Sequence, residues 1–236
     1  MIKAILFDLD GTLLPMDQDV FIQAYLGGMA KKMAPYGYDP SLLAKTVWKG
    51  TAAMVQNSGE KSNETVFWNV FCGVFGEKAL ADQPIFEDFY RNEFQLVQNA
   101  CGYDPRSSQC IHEIHDMGYQ TILATNPLFP ALATHSRIRW AGLTPEDFAL
   151  VTTYENSFHC KPNPAYYQDI LEMMNLKPEE CLMVGNDATE DMVAQKLGIR
   201  VFLLTDCLIN KEKTDINQWP HGSFPELINY IQELKA

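Results

Sequence analysis

Ile2-Lys3-Ala4-Ile5-Leu6-Phe7-Asp8-Leu9-Asp10-Gly11-Thr12 is the stretch whose reading decides the fold. An apolar run, Ile2 to Phe7, ends abruptly in two carboxylates one residue apart, followed by a glycine and a hydroxyl. A run of this length predicts a strand buried on both faces, as in a parallel sheet. The carboxyl end of such a strand is the edge at which open α/β sheets bind ligands. Two acids placed there repel each other unless a cation or a shared proton lies between them. The one-residue gap sets Asp8 and Asp10 on the same side of an extended chain.

Downstream of Thr12 the strand pattern stops. Residues 16–100 read as successive helices: Phe21, Ala24, Tyr25 and Gly28 follow helical spacing, and Asp39-Pro40 is a start signal with Asp as cap and Pro at the first helical position. Phe67, Val70, Phe71 and Val74 form an amphipathic stripe, with Ser62 or Asn63 as its cap. Phe86, Phe89, Tyr90, Phe94 and Val97 predict a fourth helix, so the block is expected to pack as a small four-helix bundle.

From Asp104-Pro105 helix and strand alternate. Helix is predicted over 106–117, 128–141, 163–174, 189–197 and 224–235. Strands are predicted at Tyr119–Ala124, Phe148–Val151, Cys181–Val184 and Arg200–Leu204. Such alternation implies right-handed crossovers and a parallel sheet. The first strand belongs to that sheet, so the helical block, residues 16–100, interrupts a single α/β domain made of 1–15 and 101–236.

Composition narrows the functional classes. The chain has 236 residues and is 47% hydrophobic, with 13 Phe, 10 Tyr and 4 Trp, which suits a substantial core. A net charge of −12 disfavours nucleic acid and anionic membrane as partners. It leaves room for a small phosphorylated substrate, because a lysine and a divalent cation make a local site positive. The six cysteines (72, 101, 110, 160, 181 and 207) form no zinc-type spacing and suggest a reducing compartment. Without a signal-peptide pattern or an apolar run of membrane-spanning length, the expectation is a cytoplasmic protein, as monomer or homodimer.

Polar clusters follow four predicted strands: Asp8/Asp10/Thr12, Thr125-Asn126, Lys161, and Asn186-Asp187 with Glu190-Asp191. In a parallel sheet these ends share one edge. Hard oxygen donors of this kind suit Mg²⁺, while Lys161 and Thr125 can each hold a phosphoryl oxygen. Adjacent His159 and Cys160 point to opposite sides of an extended chain and are not expected to act as a pair. His112 and His115 read as surface and packing residues.

These four clusters, in this order, resemble the motifs of the haloacid dehalogenase (HAD) superfamily, and the helical block resembles its C1-type cap. The resemblance implies a Rossmann-like three-layer core with an inserted α-helical cap, and a Mg²⁺-dependent phosphatase acting on a small phosphorylated metabolite. It casts Asp8 as nucleophile and Asp10 as general acid and base, with Thr12, Thr125, Asn126 and Lys161 holding the phosphoryl group. Asp8, the Asp10 carbonyl and Asp187 would be metal ligands, with Asp191 supporting them. One departure from the family pattern is Asn186 after Gly185. Two acids four apart make Asp187 the ligand, the choice favoured here, whereas counting five apart gives Asn186. Asp10 argues against dehalogenation, where the leaving halide needs no proton. Phosphomutase chemistry and a catalytically idle binding module are the alternatives.

Overall fold

The computed structural model describes residues 1–235. Strand β1, Ala4–Phe7, is followed by helices α1 (Gln18–Met33), α2 (Pro40–Val55), α3 (Asn63–Phe75), α4 (Lys78–Ala81) and α5 (Gln83–Arg91). Then come α6 (Pro105–Asp116), β2 (Gln120–Leu123), α7 (Ala131–Trp140), α8 (Pro164–Met174), β3 (Cys181–Gly185), β4 (Arg200–Leu204), β5 (His221–Gly222) and α9 (Phe224–Lys235). The strands form one parallel sheet in the order β2-β1-β3-β4-β5.

Every residue of β1 is buried, as its apolar run requires. The two-residue side-chain period divides it between two cores. Ile5 and Phe7 pack with Leu123, Val184, Phe202 and residues of α6 and α9, whereas Ala4 and Leu6 pack with Met183, Leu203 and Tyr166, Tyr167 and Ile170 of α8. Helices on both faces give the three layers expected of the core.

Phe148–Val151 runs parallel beside β2 as expected, joined to it by the Ala149 N–H to the Thr121 carbonyl (2.9 Å), the Leu123 N–H to the Leu150 carbonyl (2.8 Å) and the Thr152 N–H to the Leu123 carbonyl (3.0 Å), with Val151 paired to Leu123. The 3₁₀ turn Pro145–Asp147 leads into it, and the amide of Asn156 donates to the Val151 carbonyl at 2.9 Å where the pairing ends. Two of the expected helices differ from the sequence reading, and α4 and β5 were not expected. The helix expected over 189–197 is a 3₁₀ turn, Met192–Leu197. The fourth helix of the block breaks at Asn92 (φ −114, ψ −83) into α5 and a 3₁₀ stretch, Glu93–Ala100. Its stripe of Phe86, Phe89, Tyr90, Phe94 and Val97 stays buried throughout.

The helical block leaves and rejoins the sheet at one place. Met16 pairs antiparallel with Cys101, and the Gly102 N–H donates to the Pro15 carbonyl at 2.7 Å. A second attachment lies at the start of α3, where the Ser62 side chain caps the Thr65 N–H. There the Asn63 and Glu64 N–H groups donate to Ser157 and Tyr154 carbonyls (2.9 and 2.8 Å). The fully buried Asn63 amide also lies 3.2 Å from the Cys160 sulfur. The block is thereby seated over the carboxyl ends of the strands. No helix among the described residues is long and apolar enough to cross a membrane.

Candidate active site

At the end of β1 the Asp8 N–H still donates to the Val184 carbonyl (2.9 Å), after which the chain turns sharply. Gly11 makes the turn possible: its φ of +86° favours glycine, and a Cβ there would sit 2.3 Å from the Asn186 amide nitrogen. The close approach lets the Thr12 hydroxyl reach Asn186 Oδ1 at 2.9 Å and Asp8 Oδ2 at 3.2 Å. Gly185 serves the opposite wall, since a Cβ there would collide with the Asp191 carboxylate.

Lys161 is buried, and its ammonium donates to Asp8 Oδ1 (2.9 Å) and Asp191 Oδ1 (2.6 Å). Burial works against the charged lysine, but the Asp191 and Asp8 carboxylates outweigh it and hold its pKa well above the ordinary value. Burial raises the Asp191 carboxyl against the pull of Lys161. The other Asp191 oxygen accepts from the Asp187 N–H (2.9 Å). Asp187 itself folds back on the chain, accepting from the Thr189 and Glu190 N–H groups at 2.7 and 2.9 Å.

Asp10 has a different partner. Its Oδ2 forms an ion pair with Arg137 of α7, a guanidinium with no solvent exposure. Arg137 lies over the Phe129 ring (4.4 Å to the centroid) and near that of Phe21 in α1 (5.9 Å). Asp10 Oδ1 is buried without a hydrogen-bond partner. Burial raises the Asp10 carboxyl, Arg137 pulls it down and Asp8 pushes it up, with a net rise.

Asp8, Asp10, Thr125, Asn126, Asn186, Asp187, Glu190 and Asp191 line one cavity of about 350 Å³, closed on the helical side by Phe21, Ile22 and Trp48. All the sequence-predicted site residues therefore converge, with Thr12 and Lys161 bonded to Asp8 from behind the wall. The Asn126 amide donates to Glu190 (2.9 Å), whose carboxyl is raised by burial, and Asn126 Oδ1 is buried without a partner. His159 and Cys160 are engaged separately, His159 with Asp169 at 2.7 Å and Cys160 with Asn63. His115 bonds Thr121 at 2.7 Å. Arg137 and Lys211, the latter in the cavity wall, were not singled out by the sequence. The available signal for Arg137 was its place on the buried stripe of Ala133, Trp140 and Ala141, where a charge demands an acid partner.

The donor set suits a hard divalent cation. Six carboxylates (Asp8, Asp10, Asp19, Asp187, Glu190, Asp191) line the cavity against one lysine of the wall, Lys211, with Lys161 and Arg137 behind it. Among the described residues no three acids, histidines or cysteines form a complete metal cage. Mg²⁺ does not need one, because it is held by one or two carboxylates and keeps waters and phosphate oxygens as its other ligands.

The sequence is 25% identical to a phosphoglycolate phosphatase of Vibrio vulnificus over 205 residues, 86% of this chain and 84% of that protein. It is also 25% identical to a glyceraldehyde 3-phosphate phosphatase of Methanothermobacter thermautotrophicus over 238 residues, 100% of this chain and 99% of that one. The fold matches a HAD phosphatase from Thermococcus onnurineus (TM-score 0.61, 19% identity, 98% of each chain). It matches equally a 2-haloacid dehalogenase from Pseudomonas syringae (TM-score 0.62, 18% identity, 99% and 100%). The model of the haloacid dehalogenase-like hydrolases matches residues 2–198, the span that carries all four polar clusters. The parallel sheet, the acid pair at the end of its interior strand β1 and this match agree: the chain belongs to the haloacid dehalogenase-like hydrolase family.

Proposed function

We propose that this protein is a Mg²⁺-dependent phosphatase that hydrolyses a small phosphate monoester through an aspartyl-phosphate on Asp8. The observation that carries this reading is the division of cations between the two acids. Asp8 is held by Lys161 at the cavity wall, while Asp10 is held by Arg137 with one oxygen left unbonded.

In this reading an Asp8 oxygen attacks phosphorus and the bond to the ester oxygen breaks. The leaving oxygen takes a proton from Asp10, for which Oδ1, the oxygen not bound by Arg137, is the available carrier. The raised Asp10 pKa suits an acid that must be protonated near neutral pH. Asp10 then takes a proton from water, which attacks the aspartyl-phosphate, releasing phosphate and restoring Asp8. Lys161 offsets the charge of the attacking carboxylate, and Thr12, Thr125 and Asn126 hold phosphoryl oxygens. Bound between Asp8, the Asp10 carbonyl and Asp187, with Asp191 as support, Mg²⁺ would supply the remaining charge neutralisation. Asn186, whose amide bonds the Thr12 hydroxyl and the Cys207 carbonyl (2.7 Å), is the alternative ligand.

Residues 16–100 act as a cap over a core made of 1–15 and 101–236, hinged where Pro15-Met16 meets Cys101-Gly102. The phosphatase names of the two relatives support a small phosphorylated substrate. Six free thiols suit a cytoplasmic setting. Turnover of an aryl phosphate with Mg²⁺ is the direct test. Asp8→Asn is expected to abolish it with the fold retained, and substantial residual activity would remove Asp8 as nucleophile.

A further inference from the structure

Beside the polar cavity lies a second one of about 120 Å³, between the helical block and the core. The two share Ile22, Trp48, Leu128 and Phe129 as walls, so the smaller cavity adjoins the one at Asp8. None of its wall residues is charged. The remaining walls include Tyr25, Phe67, Trp68, Phe71, Phe86, Tyr90 and Tyr154. The polar atoms of these rings are turned to one another: the Tyr25 and Tyr90 hydroxyls are 2.9 Å apart, and the Trp68 N–H lies 3.4 Å from the Tyr154 hydroxyl.

We infer that this cavity receives the leaving group, and that the preferred substrate is a phosphate monoester of an uncharged apolar alcohol, aromatic or short aliphatic. The inference rests on the phosphatase reading and specifies its substrate class. A carboxylate or second phosphate would enter a space that offers no cation and only a few hydroxyl donors (Tyr154, Thr51 and one of the Tyr25–Tyr90 pair), and would lose most of its hydration. A quaternary ammonium would find aromatic faces but no carboxylate, among aliphatic side chains such as Met29 and Val47. An apolar body meets none of these costs. Its size is bounded, since an apolar cavity of about 150 Å³ holds benzene and this one, at about 120 Å³, is somewhat smaller. The reaction consumes ester and water and returns the alcohol and phosphate, with the alcohol's carbon body in the apolar cavity.

The test compares kcat/KM, with Mg²⁺, for methyl through hexyl phosphate, benzyl phosphate, phosphoglycolate, glyceraldehyde 3-phosphate and phosphocholine. Each added methylene is expected to raise kcat/KM about fourfold until the cavity is full. Benzyl phosphate is expected to exceed phosphoglycolate and phosphocholine, whose leaving groups are charged, and glyceraldehyde 3-phosphate, whose leaving group is polar, each at least about tenfold. Thr51→Phe and Leu26→Phe, which fill the cavity from α2 and α1, are expected to remove the gain for benzyl phosphate while leaving methyl phosphate within about twofold. A flat alkyl series, or a charged substrate turned over faster than benzyl phosphate, would overturn the inference. Calorimetry with benzyl alcohol separates this from failure of the phosphatase reading. If no ester is hydrolysed, binding to the wild type that is lost in both variants still supports the cavity's assignment, and absence of binding overturns it.

Discussion

Replacing Arg137 by Met is the sharpest probe of how the site is built. Met retains an unbranched apolar stem against Phe129 and Phe21 but removes the charge facing Asp10. Arg137 has no exposed side-chain surface, and Asp10 keeps only 21% of its own. Breaking a buried pair by removing one partner costs about 3–5 kcal/mol. The partial exposure of Asp10 places the expected loss near the lower end, about 3 kcal/mol, or about 10 °C in Tm for a chain of this size. The loss depends on pH, and its sign follows from Asp10. Burial already raises that carboxyl, and without Arg137 it rises further. A folded-state pKa above the unfolded value of about 3.9 destabilises the fold as pH climbs past that value, and the penalty is complete above the folded pKa. Urea unfolding is therefore expected to show a larger difference between Arg137→Met and wild type at pH 8 than at pH 5. In the double variant with Asp10→Asn most of the loss is expected to return, because no buried charge is left alone. A loss below about 1 kcal/mol, a difference that shrinks at high pH, or strict additivity in the double variant would refute the reasoning.

Other outcomes follow from the same geometry. Asp10→Asn keeps the nucleophile and removes the proton carrier, so the aspartyl-phosphate is expected to accumulate and to appear as an added phosphoryl mass on Asp8; its absence during slow turnover would reassign the base. Asp187→Ala is expected to weaken Mg²⁺ binding more than Asn186→Ala in a direct titration, and the reverse order would make Asn186 the ligand. Lys161→Met leaves Asp8 and Asp191 buried without their cation. It is expected to cost about 3 kcal/mol or more in unfolding, partly recovered by Asp191→Asn. A neutral Lys161→Met would show that the two acids do not need the lysine.

What the sequence made legible was local. The β1 run and its two acids, the cap at Asp39, and the stripe of Phe86, Phe89 and Tyr90 each declare themselves within a few residues, where propensity and period act. The breaks came where tertiary contacts overrule them. Phe148–Val151 lies along β2 with three backbone hydrogen bonds, as its composition predicts, whereas the fourth helix of the block is split at Asn92 despite its unbroken stripe. β5, only His221–Gly222, carries no apolar run and exists because β4 offers it an edge.

Arg137 was hidden for a different reason. With Arg139 it resembles the basic last turn that any helix favours at its C-terminal end, and both are placed there in α7. Only the stripe separates them: Arg137 shares the buried face with Ala133 and Ala141, whereas Arg139 is exposed. Even that signal does not name the partner, because several acids crowd the same sheet edge. The choice is made by charge sorting in three dimensions. Lys161 is already shared between Asp8 and Asp191, which leaves Asp10 for the guanidinium arriving from α7. Two carboxylates one residue apart thus meet different cations, and their environments diverge. Asp8 faces a compact ammonium that leaves its other oxygen toward Thr12 and the cavity, while Asp10 is gripped through one oxygen with the other unbonded. An acid–base residue and a nucleophile need this asymmetry, and a sequence motif alone, symmetric in its two aspartates, cannot express it.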